Sequence, residues 1–196
     1  FGGDKAVAVT NYLVDLKANP NFVEGNNDAD IAALRDGSAN AMFSGTWKAA
    51  EVEEVLGENM GVAALPNVSI DGNEVTMKAF MGSKAVGVNP TSDNMEVAMA
   101  LAAYLTNEES QLAHYEMRNV LPSNINIDVS NDAIAQAVAN VMKDTSIVQP
   151  LVSKMSLYWS PAENMGKAID AGEVTHDNAA EKTEEMNTAM NTDVAE

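Results

Sequence analysis

The chain contains only two tryptophans, Trp47 and Trp159, and each lies where a loop leads into a predicted helix. Aromatic residues make up only 5% of the chain, so two large rings at the starts of helices are conspicuous. A flat apolar ring in such a place suits stacking against a ligand. The alternative is that both rings close the ends of a hydrophobic core. Position alone leaves these two interpretations open.

Residues that carry acid–base, nucleophilic or metal chemistry form no recognisable constellation. His114 and His176 have no second histidine at a ligand spacing, so we expect both on helix surfaces. The segment 124–128 begins like a calcium loop, but Val129 stands where that loop requires glycine. Cysteine is absent, which excludes disulfides, thiol catalysis and cysteine-based zinc sites. We therefore predict no catalytic residue, no metal site and no cofactor.

Acidic residues dominate the charge of the chain, with 29 Asp and Glu against 11 Lys and Arg, a formal charge of −18. Such a charge repels phosphate backbones, so nucleic acid is not expected as a partner. Paired carboxylates for glycoside hydrolysis stay open as an alternative because acids are plentiful. Only Glu163 is singled out by a loop context beside a tryptophan, and its capping position predicts a structural role.

Length and hydrophobic pattern favour a globular α/β chain. The 196 residues suffice for one ordinary domain or two small lobes, and no apolar run approaches the roughly 20 residues of a membrane-spanning helix. No signal peptide is visible, and the opening Phe1-Gly2-Gly3 suggests a mature or truncated piece of a longer protein. Short apolar runs predict strands over residues 39–43, 60–65, 76–80 and 85–89.

Helical periodicity accounts for most of the remaining chain. The clearest start is predicted at Ser160, with Pro161 as the first helical residue and Glu163 at the third position. Ser92, Thr106 and Thr175 are expected to cap three further helices. The predicted helices cover about 7–16, 31–35, 47–56, 92–104, 106–117, 134–142, 160–171 and 175–190. Strands that alternate with helices define the α/β class.

The order of these segments resembles a known family. The chain is similar over nearly its whole length to the C-terminal half of bacterial extracellular solute-binding proteins of the maltose/maltodextrin-binding type, which feed ABC sugar importers. The specific motifs are the Gly-x-Trp of residues 41–47 and the Met-Ser-x-aromatic-Trp of residues 155–159. Weaker matches lie at residues 11–16, 60–66 and 104–108.

The resemblance implies a periplasmic-binding-protein-like (type II) fold that closes on an oligosaccharide. In the family, tryptophans at the positions of Trp47 and Trp159 stack on glucosyl rings. By the same resemblance, Tyr158 supports the pocket wall and Gln149 reaches a sugar hydroxyl. A Ser at 160 and Glu163 in place of the family's Arg depart from its pattern, so sugar identity, linkage and chain length stay open.

The resemblance also implies a division into lobes. Residues 1–83 and 130–196 would form the C-terminal lobe, and residues 84–129 would be an excursion into an N-terminal lobe that is largely absent. Because such an excursion cannot bury a core alone, its apolar side chains should be partly exposed, packed on the other lobe or covered by another copy. We expect this of Val86, Val88, Met99 and Leu101.

The function implied by the resemblance is oligosaccharide binding without catalysis. Such a component would be exported, as a cell-surface lipoprotein or a periplasmic protein, and would dock to a membrane permease. With part of the sandwiching surface missing, the chain should bind sugar weakly. Self-association through the unpaired segment 84–129 is a further possible contact of such a chain. The alternative functions are a carbohydrate hydrolase with aromatic subsites and a domain kept for protein contacts alone.

Overall fold

A computed structural model gives the protein's structure and describes residues 1–25 and 28–192. The helices are α1 Asp4–Ala18, α2 Ala29–Asp36, α3 Ala49–Leu56, α4 Met95–Leu105, α5 Glu108–Arg118, α6 Ala133–Asp144, α7 Trp159–Asp170 and α8 Ala179–Asn191. Short 3-10 helices cover Thr46–Lys48, Gly57–Asn59 and Ser153–Leu157. The strands are β1 Asn67–Ile70, β2 Asn73–Thr76, β3 Ala79–Met81 and β4 Ser146–Val148. The described part of the chain is thus helix-rich α/β.

The described residues form two compact units. The first unit takes its residues from 1–26, 67–76 and 150–196, and the second from 27–66 and 77–149. The first unit contains α1, α7, α8 and the β1–β2 hairpin, and the second contains α2 to α6 with β3 and β4. Each unit is therefore assembled from segments that are distant in sequence.

The core of the first unit lies where α1 and α7 pack against α8. Ile169 of α7 and Ala179 of α8 are buried there. Thr10 of α1 and Thr183 of α8 are also buried, and their hydroxyls share a hydrogen bond of 2.7 Å. A buried hydroxyl needs such a partner, since leaving it unpaired costs about 1–3 kcal/mol. The pair fixes the register of α1 on α8.

The second unit has a smaller core. Helix α2 packs on α3, and its apolar side Ile31, Ala33 and Leu34 is buried. Strands β3 and β4 pair in parallel from Ala79↔Ser146 to Met81↔Val148, with α6 packed against them. In the described part of the chain, this pair is a two-stranded sheet of its own.

The strand predictions over 39–43, 60–65 and 85–89 are wrong, because these stretches are irregular. The prediction over 76–80 coincides only in part with β2 and β3. The antiparallel hairpin of β1 and β2 lies instead largely between the predicted strands 60–65 and 76–80, turning at Asp71 (φ 51°) and Gly72 (φ 74°). An Asp-Gly pair with both φ angles positive matches the right-handed twist of the two strands.

The predicted helix start is wrong by two residues, because α7 begins at Trp159 and not at Pro161, after the 3-10 helix that ends at Leu157. Glu163 is therefore the fifth helical residue and not the third, as its predicted capping position required. Pro161 is then the third helical residue, where its missing N–H costs nothing because the first turn has no intrahelical acceptor. The N-cap positions of α4, α5 and α8 are occupied by Asn94, Asn107 and Asn178 instead of the predicted Ser92, Thr106 and Thr175. Of these three asparagines, Asn107 caps its helix by accepting a hydrogen bond from the N–H of Ser110.

The exposure predicted for the apolar residues of 84–129 is confirmed. Val86, Met99 and Leu101 are 45%, 59% and 55% exposed, and Val88 is half-buried. Helix α4 has no buried residue although Glu96 is its only charged side chain. Within the described residues, no helix is long and apolar enough to cross a membrane.

Candidate functional site

Trp47 lies on the 3-10 helix Thr46–Lys48 and is 79% exposed. Its six-membered ring occupies the space above Gly45, where an added Cβ would overlap Cε3, Cζ3 and Cη2 of the indole. Gly45 itself has an ordinary extended backbone (φ −91°, ψ 169°), so the glycine is needed for space and not for conformation. In the Gly-x-Trp motif, the indole therefore packs against the backbone at Gly45, and the rest of the ring is exposed to solvent.

Lys48 fixes the segment that carries Trp47. Its Nζ donates to Oδ1 of Asp28 and to Oε2 of Glu51, both at 2.8 Å, and its side chain is only 17% exposed. The hydrogen bonds to these two carboxylates raise the pKa of Lys48. The hydrogen bond from Lys48 likewise lowers the pKa of Asp28. Lys48 thus ties the start of α2 to the first turn of α3 by charge.

Trp159 is the first residue of α7 and is 51% exposed. Its ring meets the Tyr158 ring edge-on, with centroids 5.1 Å apart and an interplanar angle of 79°. The Tyr158 ring also contacts Phe1, with ring centroids 4.9 Å apart at 42°. Buried Met155 belongs to the 3-10 helix directly before this pair. The rings of Phe1, Tyr158 and Trp159 form one aromatic cluster in the first unit.

Gln149 lies just beyond β4 and is half-buried. Its backbone N–H donates to the carbonyl oxygen of Met81 at 3.2 Å, which extends the parallel pairing of β3 and β4 by one residue. The backbone of Gln149 is therefore held by the second unit, to which Trp47 also belongs.

The structure brings together some of the predicted site residues. Tyr158 and Trp159 are in ring contact in the first unit, while Trp47 and Gln149 lie on separate elements of the second. Sequence reasoning missed Gly45 as the seat of Trp47 and Phe1 as a neighbour of Tyr158. A glycine two residues before a tryptophan is a signal for the first. No local pattern reveals the second, because the contact joins distant segments.

The carboxylate beside the second tryptophan is part of an exposed ion pair. Glu163 accepts a hydrogen bond of 2.6 Å from Nζ of Lys167, one turn along α7. This bond lowers the pKa of Glu163, whereas a glycosidase acid needs a raised pKa to hold its proton. In 1–25 and 28–192, no group of three or more His, Cys, Asp or Glu residues could hold a metal ion.

Comparison with known proteins identifies the family. Residues 2–143 match the family described as bacterial extracellular solute-binding protein. The chain belongs to this family. A maltooligosaccharide ABC transporter solute-binding lipoprotein of Streptococcus pneumoniae is 30% identical over 146 residues, which are 72% of this chain and 33% of that protein. A galactooligosaccharide-binding protein of Bacillus subtilis is 27% identical over 154 residues, 76% of this chain and 35% of that protein.

Solved structures of solute-binding proteins share the fold. A protein solved with acarbose is 48% identical, with a TM-score of 0.87 over 97% of this chain and 52% of that one. A ligand-free maltodextrin-binding protein from L. casei is 25% identical, with a TM-score of 0.75 over 97% and 52%. A maltose-binding protein from Listeria monocytogenes, solved in complex with maltose, is 23% identical, with a TM-score of 0.66 over 96% of this chain and 51% of that one. At this identity the likeness shows the fold alone.

These matches establish a periplasmic-binding-protein-like α/β fold. The chain spans about a third of the length of the curated relatives it matches and about half of the solved relatives.

Proposed function

We propose that this chain contributes to the oligosaccharide site of a solute-binding protein of an ABC sugar importer. The observation that carries the proposal is the exposure of Trp47 and Trp159 in a chain of this family. Relatives named for maltooligosaccharide and galactooligosaccharide binding, and a relative solved with acarbose, support a carbohydrate ligand. The S. pneumoniae relative is named as an ABC transporter lipoprotein, which supports a cell-surface or periplasmic location.

The chemistry of a sugar ring explains why exposed indoles suit it. A pyranose presents C–H groups on its faces and hydroxyls around its rim, so a flat aromatic ring contacts the face while polar groups bind the rim. Trp47 offers most of its indole to solvent because Gly45 supports only part of the ring. Trp159 offers about half of its surface beside Tyr158. Gln149 is the proposed partner for a sugar hydroxyl.

The arrangement into lobes follows as part of the same proposal. Residues 1–83 and 130–196 would form one lobe and 84–129 an excursion into the other, with closure of the two lobes around the sugar. A membrane permease would then receive the sugar. The exposed apolar residues of α4 also make self-association through 84–129 a prediction that sedimentation of the purified chain can test.

Calorimetric titration tests the proposal directly. The chain is titrated with maltose, maltotriose, longer dextrins and acarbose, alongside Trp47→Ala and Trp159→Ala. We expect weak binding, reduced about tenfold or more by either substitution, since tenfold corresponds to about 1.4 kcal/mol of lost contact. Tyr104→Ala is the matched control, because Tyr104 is exposed on α4, outside both tryptophan segments. Unchanged affinity in both tryptophan variants would rule out the assigned site.

A hydrolase with aromatic subsites remains the second candidate, because exposed tryptophans also line such clefts. It requires two carboxylates at a productive separation. Incubating the chain with maltotriose and longer dextrins distinguishes the two functions. A binding protein leaves the oligosaccharides intact, whereas release of shorter sugars at a rate proportional to protein concentration would establish the hydrolase.

A further inference from the structure

The first three residues, Phe1-Gly2-Gly3, have a defined place in the first unit. Gly3 has φ 80° and ψ 179°, a conformation that is essentially restricted to glycine. Its carbonyl oxygen accepts hydrogen bonds from the N–H groups of Ala6 (3.0 Å) and Val7 (3.1 Å), so it also begins α1. Gly3 therefore turns the chain sharply at the start of the helix.

Gly2 brings the same segment close to α8. A Cβ added to Gly2 would lie 2.7 Å from Nδ2 of Asn187 and 3.2 Å from a carboxylate oxygen of Glu184. The backbone thus passes close to these side chains, and a side chain at position 2 would require them to shift. The two glycines together set the path that ends at Phe1.

The ring of Phe1 lies against Tyr158 and is itself 62% exposed. Tyr158 in turn is in edge contact with Trp159, so a continuous series of ring contacts runs from Phe1 to the tryptophan. Aromatic pairs at 4.5–7 Å have preferred orientations, because each ring has a negative face and a positive edge. The orientation of the Tyr158 ring is thus constrained from two sides.

We propose that Phe1 is a positioning residue for sugar binding: its ring holds Tyr158, and through it Trp159, in the orientation that receives a sugar face. This inference rests on the proposed function. The backbone path set by Gly2 and Gly3 places the Phe1 ring against Tyr158. Phe1→Ala should weaken oligosaccharide binding about three- to tenfold, the effect of one aromatic pair. Phe1→Tyr should retain affinity because it keeps the ring.

The experiment combines a spectroscopic readout with binding. In a Trp47→Phe background the only indole is that of Trp159, and its near-ultraviolet circular dichroism reports the orientation of the ring against Tyr158. Spectra, melting curves and calorimetric affinity for maltotriose are compared for Phe1→Ala, Phe1→Leu and Phe1→Tyr. Phe22→Ala is the matched control, because Phe22 is a partly exposed phenylalanine in the same unit that contacts Lys17.

We expect Phe1→Ala and Phe1→Leu to change the Trp159 spectrum and weaken binding, with Phe1→Tyr and Phe22→Ala close to the parent. The proposal is overturned if Phe1→Ala leaves the Trp159 spectrum unchanged, whatever happens to the affinity. It is also overturned if the spectrum changes while affinity stays constant and Trp159→Ala still loses binding. If Trp159→Ala has no effect on affinity, the proposed sugar site fails, and the role of Phe1 in binding fails with it.

Discussion

The two tryptophan segments are supported in different ways. Trp159 begins a helix whose other end is anchored in the core by Ile169, and its ring meets Tyr158. Trp47 lies on elements with no buried residue, seated on Gly45 and followed by an ion-paired Lys48. One ring is held by packing and the other by a backbone contact and charge.

This difference predicts which substitutions and solution conditions should change the stability of each segment. Packing in a core is lost when buried atoms are removed, and salt affects it little. Exposed ion pairs contribute little and are screened by salt. The Trp159 segment should therefore respond mainly to core substitutions, and the Trp47 segment mainly to changes of charge and salt.

The largest effect is expected for Ile169→Ala in the first unit. Ile169 is 6% exposed, and truncating a buried isoleucine costs about 2–5 kcal/mol through lost transfer free energy and a cavity. Urea unfolding followed by circular dichroism measures the change. Ile125→Ala is the control, since Ile125 is 98% exposed and should change stability by less than about 0.5 kcal/mol. Equal losses for both variants would contradict the described core.

The next largest effect is expected in the pH dependence of the unfolding free energy. It arises from the hydrogen bond of 2.5 Å that the Tyr115 hydroxyl donates to Asp132 in the second unit. Asp132 also caps α6 by accepting from the N–H groups of Ile134 and Ala135. The hydrogen bond from Tyr115, followed by those of the backbone, lowers the pKa of Asp132. The same bond to Asp132 raises the pKa of Tyr115 to about 12.

The sign of the pH dependence follows from these two shifts. The stability from ionised Asp132 is present above its ordinary pKa of 3.8 and is lost as pH falls through the lower folded value. The stability from protonated Tyr115 is full below pH 10 and is lost as pH rises towards about 12. Asp132→Asn keeps a capping side chain, so it should flatten the acid limb of the unfolding free energy, which otherwise falls as the pH drops below 3.8 towards the folded pKa of Asp132. An unchanged acid limb would contradict this role.

A smaller effect on stability is expected for Gly45→Ala. The added methyl group overlaps the Trp47 ring, so the indole must leave its seat, at a cost of about 1 kcal/mol or less because the ring is exposed. We expect a changed Trp47 emission and weaker maltotriose binding. Gly61→Ala is the matched control, as its added Cβ would meet nothing within 4 Å. Identical emission in both variants would show that the indole does not rest on Gly45.

The smallest effect is expected for Lys48→Met, which removes the ion pairs to Asp28 and Glu51. Both carboxylates are well exposed, so the loss of stability should be small. It should shrink further in 1 M salt, where the wild-type ion pairs are already screened. Lys167→Met, which removes the exposed pair with Glu163 on α7, is the control in the first unit. A larger loss at high salt would contradict the electrostatic account.

Helices were predictable from sequence because their signals are local. Apolar periodicity located α1 and α6, and Gly37 and Gly172, with φ of 78° and 75°, follow α2 and α7 as glycine commonly does after a helix. Strands were not predictable from sequence, because a short apolar run such as 85–89 becomes a strand only when another strand pairs with it. The Asp71-Gly72 pair is a usable local signal for the β1–β2 hairpin, because both residues adopt the positive φ angles of a tight hairpin turn.

The site was predictable only in part for the same reason. The Gly-x-Trp motif acts within three residues, so the exposed position of Trp47 follows from local chemistry. The contact of Phe1 with Tyr158 depends on how α1, α7 and α8 pack, and no local pattern encodes that packing. The sugar-binding role of Gln149, Tyr158 and the two tryptophans stays a prediction.

Fluorescence titration of two single-tryptophan variants tests the central claim most directly. Trp159→Phe leaves only Trp47, and Trp47→Phe leaves only Trp159, so each variant reports on one region. The account predicts that maltotriose shifts the emission of both variants to shorter wavelength, with the same affinity that calorimetry gives for each variant. Calorimetric binding of maltotriose with no change in the emission of either tryptophan would contradict it.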